Sequence, residues 1–382
     1  MSRFISRNCV SQNSINHLRM MSTQPQHTYH VIGLMSGSSL DGLDIAYCRF
    51  VQNVGNHWDF DLLASDTVEL GSMSNPLRDA FHLTPPELDR LSKDFAFFMA
   101  DAVQTFIKKN SINAIDMIVS HGHTVFHYPD KGLTCQIGDG RLLANETGYI
   151  VVNNLRQRDM DFGGQGAPIV PIGDKHLFSS FKVCVNIGGI ANISVQKADQ
   201  MLAYDICSAN QVLNTLAMRL GKSFDRNGIL ARSGRVNQSL LYALNQLTYY
   251  KIDPPKALDN SFTQEVMEVI DGFDLPTADA LASYTEHLAE QIALHIKSTN
   301  LSEYSSVLIT GGGAHNTFLV ERVRALCKSE VVIPSKDIID YKEAIIMGFI
   351  GVLRIRNEVN VLASVTGASK DTSSGEVFYP NS

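Results

Sequence analysis

The stretch VIGLMSGSSLDGLDIAY, Val31 to Tyr47, sets three glycines and a run of Ser and Asp between two apolar segments. A plain β-hairpin needs only a short Asn-Gly or Gly-X turn. The turn from Ser36 to Leu43 is longer and richer in small polar groups than chain reversal requires. Backbone N–H groups in such a turn can approach an anion closely, because glycine leaves the space open.

Working outward, YHVIGLM and LDIAYCRF alternate as paired strands, and FDLLASDTVEL reads as a third. Thr84 is a fitting N-cap for the helix that begins at Pro85 and runs through FAFFMADAVQTFIKK. AIDMIVSHGH follows as a short buried strand that ends in a loop. The same β-β-β-α-β order returns in KVCVNIGGIANISVQ, MLAYDIC, the helix ANQVLNTLAMRLG closed by Gly221, a helix around Ala278–Ser298, and SSVLIT. GGGAHN and the helix TFLVERVRALC come next. Two halves opening on the same kind of hairpin indicate a duplicated unit with its glycine turns facing across a cleft. The division expected is residues 29–155 and 156–355, with 356–382 packing back on the first half.

Composition narrows the function. The 382 residues are 44% hydrophobic and 19% charged, with a net charge of -7, which favours neither nucleic acid nor an anionic membrane. No apolar run reaches the ~18 residues of a membrane span. The six cysteines are scattered without a CxxC pair, as in a reducing, cytoplasmic setting. Residues 1–28 carry Arg3, Arg7 and Arg19 and no acid, which suits an organelle-targeting segment, a disordered extension or an upstream start.

Three turns are candidates for phosphate: Gly37, Ser38, Ser39, Leu40, Asp41 and Gly42 in the first; Asn186, Gly188 and Gly189 in the second; Gly311, Gly312, Gly313 and Asn316 in the third. The third joins a strand to a helix, whose N-terminal dipole would add to it. Each alone is equally a tight turn. Gly221-Lys222-Ser223 is not a Walker A loop, since Leu216 stands where its first glycine belongs.

Among the acids, a buried Asp41 would call for a cation such as Mg²⁺ held through water, or would cap its own turn. Asp205, at the end of MLAYDI, is either a helix N-cap or a general base. Asp159 lies beside Arg156 and Arg158, which would hold it or grip an anionic ligand. His121, His123 and His127 lack metal-ligand spacing and suit a hydroxyl-rich ligand better, with packing the plainer reading for His127. GGQGAPIVP (Gly163–Pro171) is a rigid loop or hinge.

Taken in order, GLMSGSSLDGLD, SHGHTVFH, QIGDG, LRQRD, GGQGAPIVP, VNIGGIANIS, YDICSAN, TGGGAHN and VTGAS resemble the anhydro-N-acetylmuramic acid kinase family over Val31–Gly367. The resemblance implies the sugar kinase–Hsp70–actin fold, an α/β architecture of two ribonuclease-H-like (actin-like ATPase) domains with a nucleotide cleft between them. It implies ATP and Mg²⁺ as cofactors, with GSSLDGLD on the phosphates and TGGGAHN on the adenosine side. Asp205 is then the general base for water attack at C1 of a 1,6-anhydrosugar, whose O6 takes the γ-phosphate. His121, Gly122, Thr124, Arg156, Asp159 and Gln165 fall on the sugar side. The family also implies a homodimer. Three places depart from its pattern: DICSAN for DTGPGN, SHGHTV for GHGQTV, and NLRQRD for DFRxxD. They leave open a kinase for another anhydrosugar such as levoglucosan, or a non-catalytic actin-like nucleotide-binding protein.

Overall fold

A computed structural model describes residues 27–37, 40–53, 55, 57–198, 200–258, 260–299 and 305–381. The arginine-bearing part of the N-terminal segment, Ser38 and Ser39 lie outside the described residues.

The first sheet is built on the opening hairpin. β1 (His27–Ser36) pairs antiparallel with β2 (Leu43–Gln52), and β2 pairs antiparallel with β3 (Trp58–Val68). On its other side β1 runs parallel to β4 (Met117–Tyr128), and β4 runs parallel to β6 (Val151–Asn153). β5 (Leu133–Ile137) and β12 (Glu376–Phe378) add antiparallel edges to β4 and β6. The helix Pro85–Lys109 covers one face, and a capping box starts it: the Thr84 N–H donates to the Glu87 carboxylate at 2.8 Å.

The second sheet repeats this plan. β7 (Val183–Ile187), β8 (Ile190–Lys197) and β9 (Gln200–Ser208) form an antiparallel meander. β10 (Ser306–Thr310) runs parallel to β7, and β11 (Glu330–Val332) parallel to β10. Both sheets therefore carry a meander, then two parallel strands on the far side of its first strand, which is the ribonuclease-H-like order. The helix Thr277–Ser298 covers the outer face, with Leu281, Tyr284, Leu288 and Ile292 fully buried.

One element that the sequence reading passed over joins the two sheets. The helix Lys336–Ile355, called here the bridging helix, lies against β1, β2 and β4 of the first sheet. Its Ile345, Ile346, Phe349 and Ile350 share one core with Val31 and Val119 of the first sheet and Cys184 and Leu308 of the second. The approach to β1 is close enough to need glycine: a Cβ at Gly33 would overlap the Ala344 carbonyl oxygen and stand 2.9 Å from the Gly348 nitrogen. Neither backbone group can move without dislodging the helix. Gly33→Ala is therefore expected to destabilise the chain by ~3 kcal/mol or more, read as a lowered urea midpoint.

Candidate functional site

Three of the glycine-rich segments sit at strand ends, as expected, but their surroundings differ. Between β7 and β8 only Gly188 and Gly189 intervene, and the start of the helix Asn210–Met218 grips them. Ala209 N–H donates to the Gly189 carbonyl at 2.7 Å, Asn210 N–H to the Gly188 carbonyl at 3.1 Å, and Asn210 Nδ2 to the Ile187 carbonyl at 3.2 Å. The third turn packs directly on this one. Gly311 has φ +80°, and a Cβ there would meet Asn186 Oδ1 at 2.6 Å; one at Gly313 would overlap the Ile187 side chain. Gly312 is exposed between them. The structure thus brings Asn186, Gly188, Gly189 and Gly311–Gly313 together.

The third turn joins a strand to a helix, as the sequence predicts. A 3₁₀ turn, Gly312–His315, intervenes, and Asn316 caps the helix Thr317–Leu326 by accepting from the Leu319 N–H at 3.1 Å. Asn316 is buried, with its oxygen engaged inside the protein.

In the first turn, Leu40 takes a left-handed φ of 58° and its N–H donates to the Gly37 carbonyl at 3.2 Å. Gly42 lies under Thr67 and Val68 of β3. Asp41 is exposed, so the premise of a buried acid in this turn is corrected: strand pairing resumes at Leu43 and leaves Asp41 outside the hairpin. The acids behind it are more constrained. Burial raises the Asp44 carboxyl above its ordinary value, the Thr67 hydroxyl at 2.7 Å opposes this, and the charges of Asp340 and Asp41 add to it. Glu343, on the bridging helix, keeps access to solvent. Burial raises its carboxyl, Arg156 and Lys342 oppose, and Asp44 adds to the rise. Asp44 thus shares negative charge with Asp340, Asp41 and Glu343.

Asp205 stands within β9, opposite Asn192 and beside a bulge, rather than at its end. It caps no helix; Ala209 occupies that position. The segment after Pro254 and Pro255 docks along β9: Asp205 N–H donates to the Lys256 carbonyl at 3.0 Å, and Leu258 N–H donates to Asp205 Oδ2 at 2.9 Å. Tyr249 holds the same residue by donating its hydroxyl to the Asp205 carbonyl at 2.8 Å. No described residue donates to Oδ1. Burial raises the carboxyl above its ordinary value, and the Leu258 N–H offsets this only in part.

The histidine segment is strand, not loop. β4 continues through His121, His123 and His127 because β5 pairs with it, which the apolar pattern of the first half of β4 did not signal. Arg156 Nε donates to His121 Nε2 at 3.0 Å, so the proton sits on Nδ1, which donates to the Gly122 carbonyl at 3.1 Å. Burial, and next the Arg156 charge, push His121 down to about 3, so the ring is neutral. His123 Nδ1 lies 3.1 Å from the Ser36 hydroxyl at the base of the first turn. Thr124 accepts from Gln136 at 3.4 Å.

Arg156 and Asp159 shape the glycine loop between them. Arg156 Nη1 donates to the Gly166 carbonyl at 2.8 Å, and Gly166 N–H donates to Asp159 Oδ2 at 2.8 Å. Thr366 donates to Asp159 Oδ1 at 2.8 Å, and Gln165 N–H to the Thr366 carbonyl at 2.9 Å. Asp159 is fully buried with both oxygens engaged, whereas the Gln165 side chain is exposed and Arg156 Nη2 has no hydrogen-bond partner among the described residues. The Asn154 departure has a local cause. With φ 53°, its Nδ2 donates to Glu376 of the edge strand at 2.7 Å, where an aspartate would repel that carboxylate.

Sequence reasoning missed Glu343. Its only signal is a Lys-Glu pair just before the apolar run AIIMGFIGVL of the helix Lys336–Ile355. Leu258 was also invisible, since its backbone rather than its side chain does the work.

Paired ribonuclease-H-like sheets with glycine turns at their strand ends define the class as an actin-like ATPase fold. More particularly, the chain belongs to the anhydro-N-acetylmuramic acid kinase family, whose model matches residues 29–380. It is 32% identical over 368 residues to an anhydro-N-acetylmuramic acid kinase of Vibrio cholerae, covering 92% of this chain and 98% of that one. A relative of the same name from Bacillus thuringiensis is 30% identical over 384 residues, covering 93% and 99%. Among solved structures, component A of (R)-2-hydroxyglutaryl-CoA dehydratase from Acidaminococcus fermentans matches 84% of this chain and 95% of its own, at 14% identity and a TM-score of 0.43.

Proposed function

We propose that this chain is an ATP-dependent kinase that opens the 1,6-anhydro bond of 1,6-anhydro-N-acetylmuramic acid and phosphorylates the freed O6. The products are N-acetylmuramic acid 6-phosphate and ADP. The observation that carries the reading is Asp205: one oxygen is tied by Leu258, the other is open, and burial makes the carboxylate a stronger base than in water.

Asp205 takes a proton from the water that attacks C1. The C1–O6 bond breaks with its electrons on O6, and O6 displaces ADP from the γ-phosphorus. The proton left on Asp205 returns to solvent, which balances the reaction. Gly37 and Asp41 of the first turn and Gly189 and Gly311–Gly313 of the paired turns would offer N–H groups to the charge that builds on the phosphates, the Leu40 and Gly188 N–H groups being spent on the Gly37 and Ile190 carbonyls. Arg156 offers Nη2 to the lactyl carboxylate, while neutral His121 keeps the guanidinium oriented without competing for the anion. Asp159 acts by holding the 163–166 loop, not by touching sugar.

Among the described residues no three His, Cys, Asp or Glu side chains gather as a metal site. Mg²⁺ needs fewer, because it is held by one or two carboxylates with phosphate oxygens and water. Asp41, exposed in the first turn, with Asp44 close behind it in sequence, would fit that demand, since the two acids add to one another's negative charge. When bound there, the ion supplies positive charge to the β- and γ-phosphates. The five described cysteines are unpaired, in keeping with a cytosolic reaction. No helix among the described residues is long and apolar enough to cross a membrane.

³¹P NMR of the chain with Mg-ATP and the anhydrosugar tests this. A sugar 6-phosphate signal growing with ADP is expected; inorganic phosphate alone would contradict it.

A further inference from the structure

Asp205 is held in place by one short segment of the chain as much as by the sheet it belongs to. β9 is an edge strand of the second sheet, paired with β8 alone. An edge strand turns the N–H and C=O of every second residue away from its partner, and those groups need partners from outside the sheet. At Asp205 residues 249–258 supply them. The Asp205 N–H donates to the Lys256 carbonyl at 3.0 Å, and the Asp205 carbonyl accepts from the Tyr249 hydroxyl at 2.8 Å. The Leu258 N–H takes Oδ2 at 2.9 Å. Backbone N–H, carbonyl and one carboxylate oxygen of Asp205 are thus all held by the same segment. Strand pairing does not fix the residue as firmly, because the β8–β9 register shifts between Ala191 and Asn192, right beside the Asn192–Asp205 pair.

The segment is itself braced where it meets Asp205. Lys256 is buried, and its ammonium donates to the Tyr249 carbonyl at 3.2 Å and stands 4.4 Å from the centre of the Tyr249 ring. That ring is buried too, 5.0 Å from the ring of Phe262. Burial, and next the Asp205 charge, push the Tyr249 hydroxyl above its ordinary value, so it stays protonated and remains a donor. A phenylalanine would pack as well here. What the hydroxyl adds is one directed bond to the backbone of the residue that carries the base.

We propose that Tyr249 is a positioning residue for the reaction: its hydroxyl, braced by Lys256, fixes the backbone of Asp205 so that Leu258 keeps Oδ2 and Oδ1 is presented to the attacking water. This rests on the general-base reading given above. A base works only within hydrogen-bond reach of the proton it takes, and a misplacement of about 1 Å costs up to about 100-fold in rate. Loss of one directed bond, with the rest of the segment in place, is expected to cost about 10-fold.

The test is a double-mutant cycle on the full chain: wild type, Tyr249→Phe, Asp205→Asn and the two together, each measured for kcat, KM for the anhydrosugar and Mg-ADP affinity. Tyr249→Phe keeps the ring against Phe262 and Lys256. It is expected to lower kcat about 10-fold, with KM and Mg-ADP affinity within about 2-fold of wild type. In the Asp205→Asn background the same change is expected to alter kcat by less than about 2-fold, because no base is left to position. A hydroxyl that served the fold alone would give the same loss in both backgrounds, and that result overturns the inference. So does an unchanged kcat in Tyr249→Phe. Should Tyr249→Phe not fold, Lys256→Met removes the brace instead. Its expected loss is about 3-fold in kcat, confined to the chain that keeps Asp205, and no loss or an equal loss in both backgrounds overturns the inference. Near-normal turnover in Asp205→Asn would instead remove the parent reading.

Discussion

Asp205→Asn is expected to lower kcat by about 10³-fold, within the range for loss of a general base, with the affinity for Mg-ADP within about 2-fold of wild type. Asparagine keeps the size and still accepts from the Leu258 N–H, so β9 and the docked segment stay in place. It cannot take a proton at neutral pH. A second signature belongs to the same residue. Because burial raises Asp205, the acid limb of the kcat/KM profile is expected above the ordinary aspartate value of 3.8. The sign follows from the role: activity is present where the carboxylate is ionised and falls as pH drops through its raised pKa. Near-normal turnover in the variant would remove Asp205 from the chemistry.

Arg156→Met is expected to act on the substrate rather than on the nucleotide. A hydrogen bond to a charged partner contributes about 2–3 kcal/mol, so kcat/KM for the anhydromuramate should fall about 30- to 150-fold. Methionine preserves much of the stem that packs over the loop, and Gly166 N–H remains held by Asp159. A neutral anhydrosugar, lacking the lactyl carboxylate, should lose only a few-fold. Equal losses for both sugars would mean that Arg156 serves the 163–166 loop and not the anion.

The two hairpins and the helices that follow them were legible because their patterns are local. Apolar runs broken by a small-residue turn in Val31–Tyr47 and Val183–Lys197 show where strands pair, and Thr84 followed by Pro85 marks a helix start. The length of β4 was not legible. His121–Tyr128 becomes strand only because β5, distant in pattern though near in sequence, supplies its partner. The bridging helix illustrates the same limit. Its apolar run is buried on two sides, and periodicity cannot tell which two surfaces it joins, so neither its place nor Glu343's could be foreseen.

The candidate site divides in the same way. Glycine turns announce themselves by composition, and Asp205 by the resemblance its motif carries. Residues that act through backbone or through burial leave no such mark. Leu258 contributes an N–H that any residue but proline would offer. Asp159 stands in a motif beside Arg156, yet only the structure shows both its oxygens spent on Gly166 and Thr366.

ADP release by the purified chain with Mg-ATP should be compared for 1,6-anhydro-N-acetylmuramic acid, levoglucosan and no sugar. Release that depends on the anhydromuramate, with one ADP per sugar phosphorylated, is the expected result. Release with levoglucosan alone would keep the fold and the Asp205 chemistry but contradict the assigned substrate, and silence with both sugars despite bound ATP would contradict a kinase altogether.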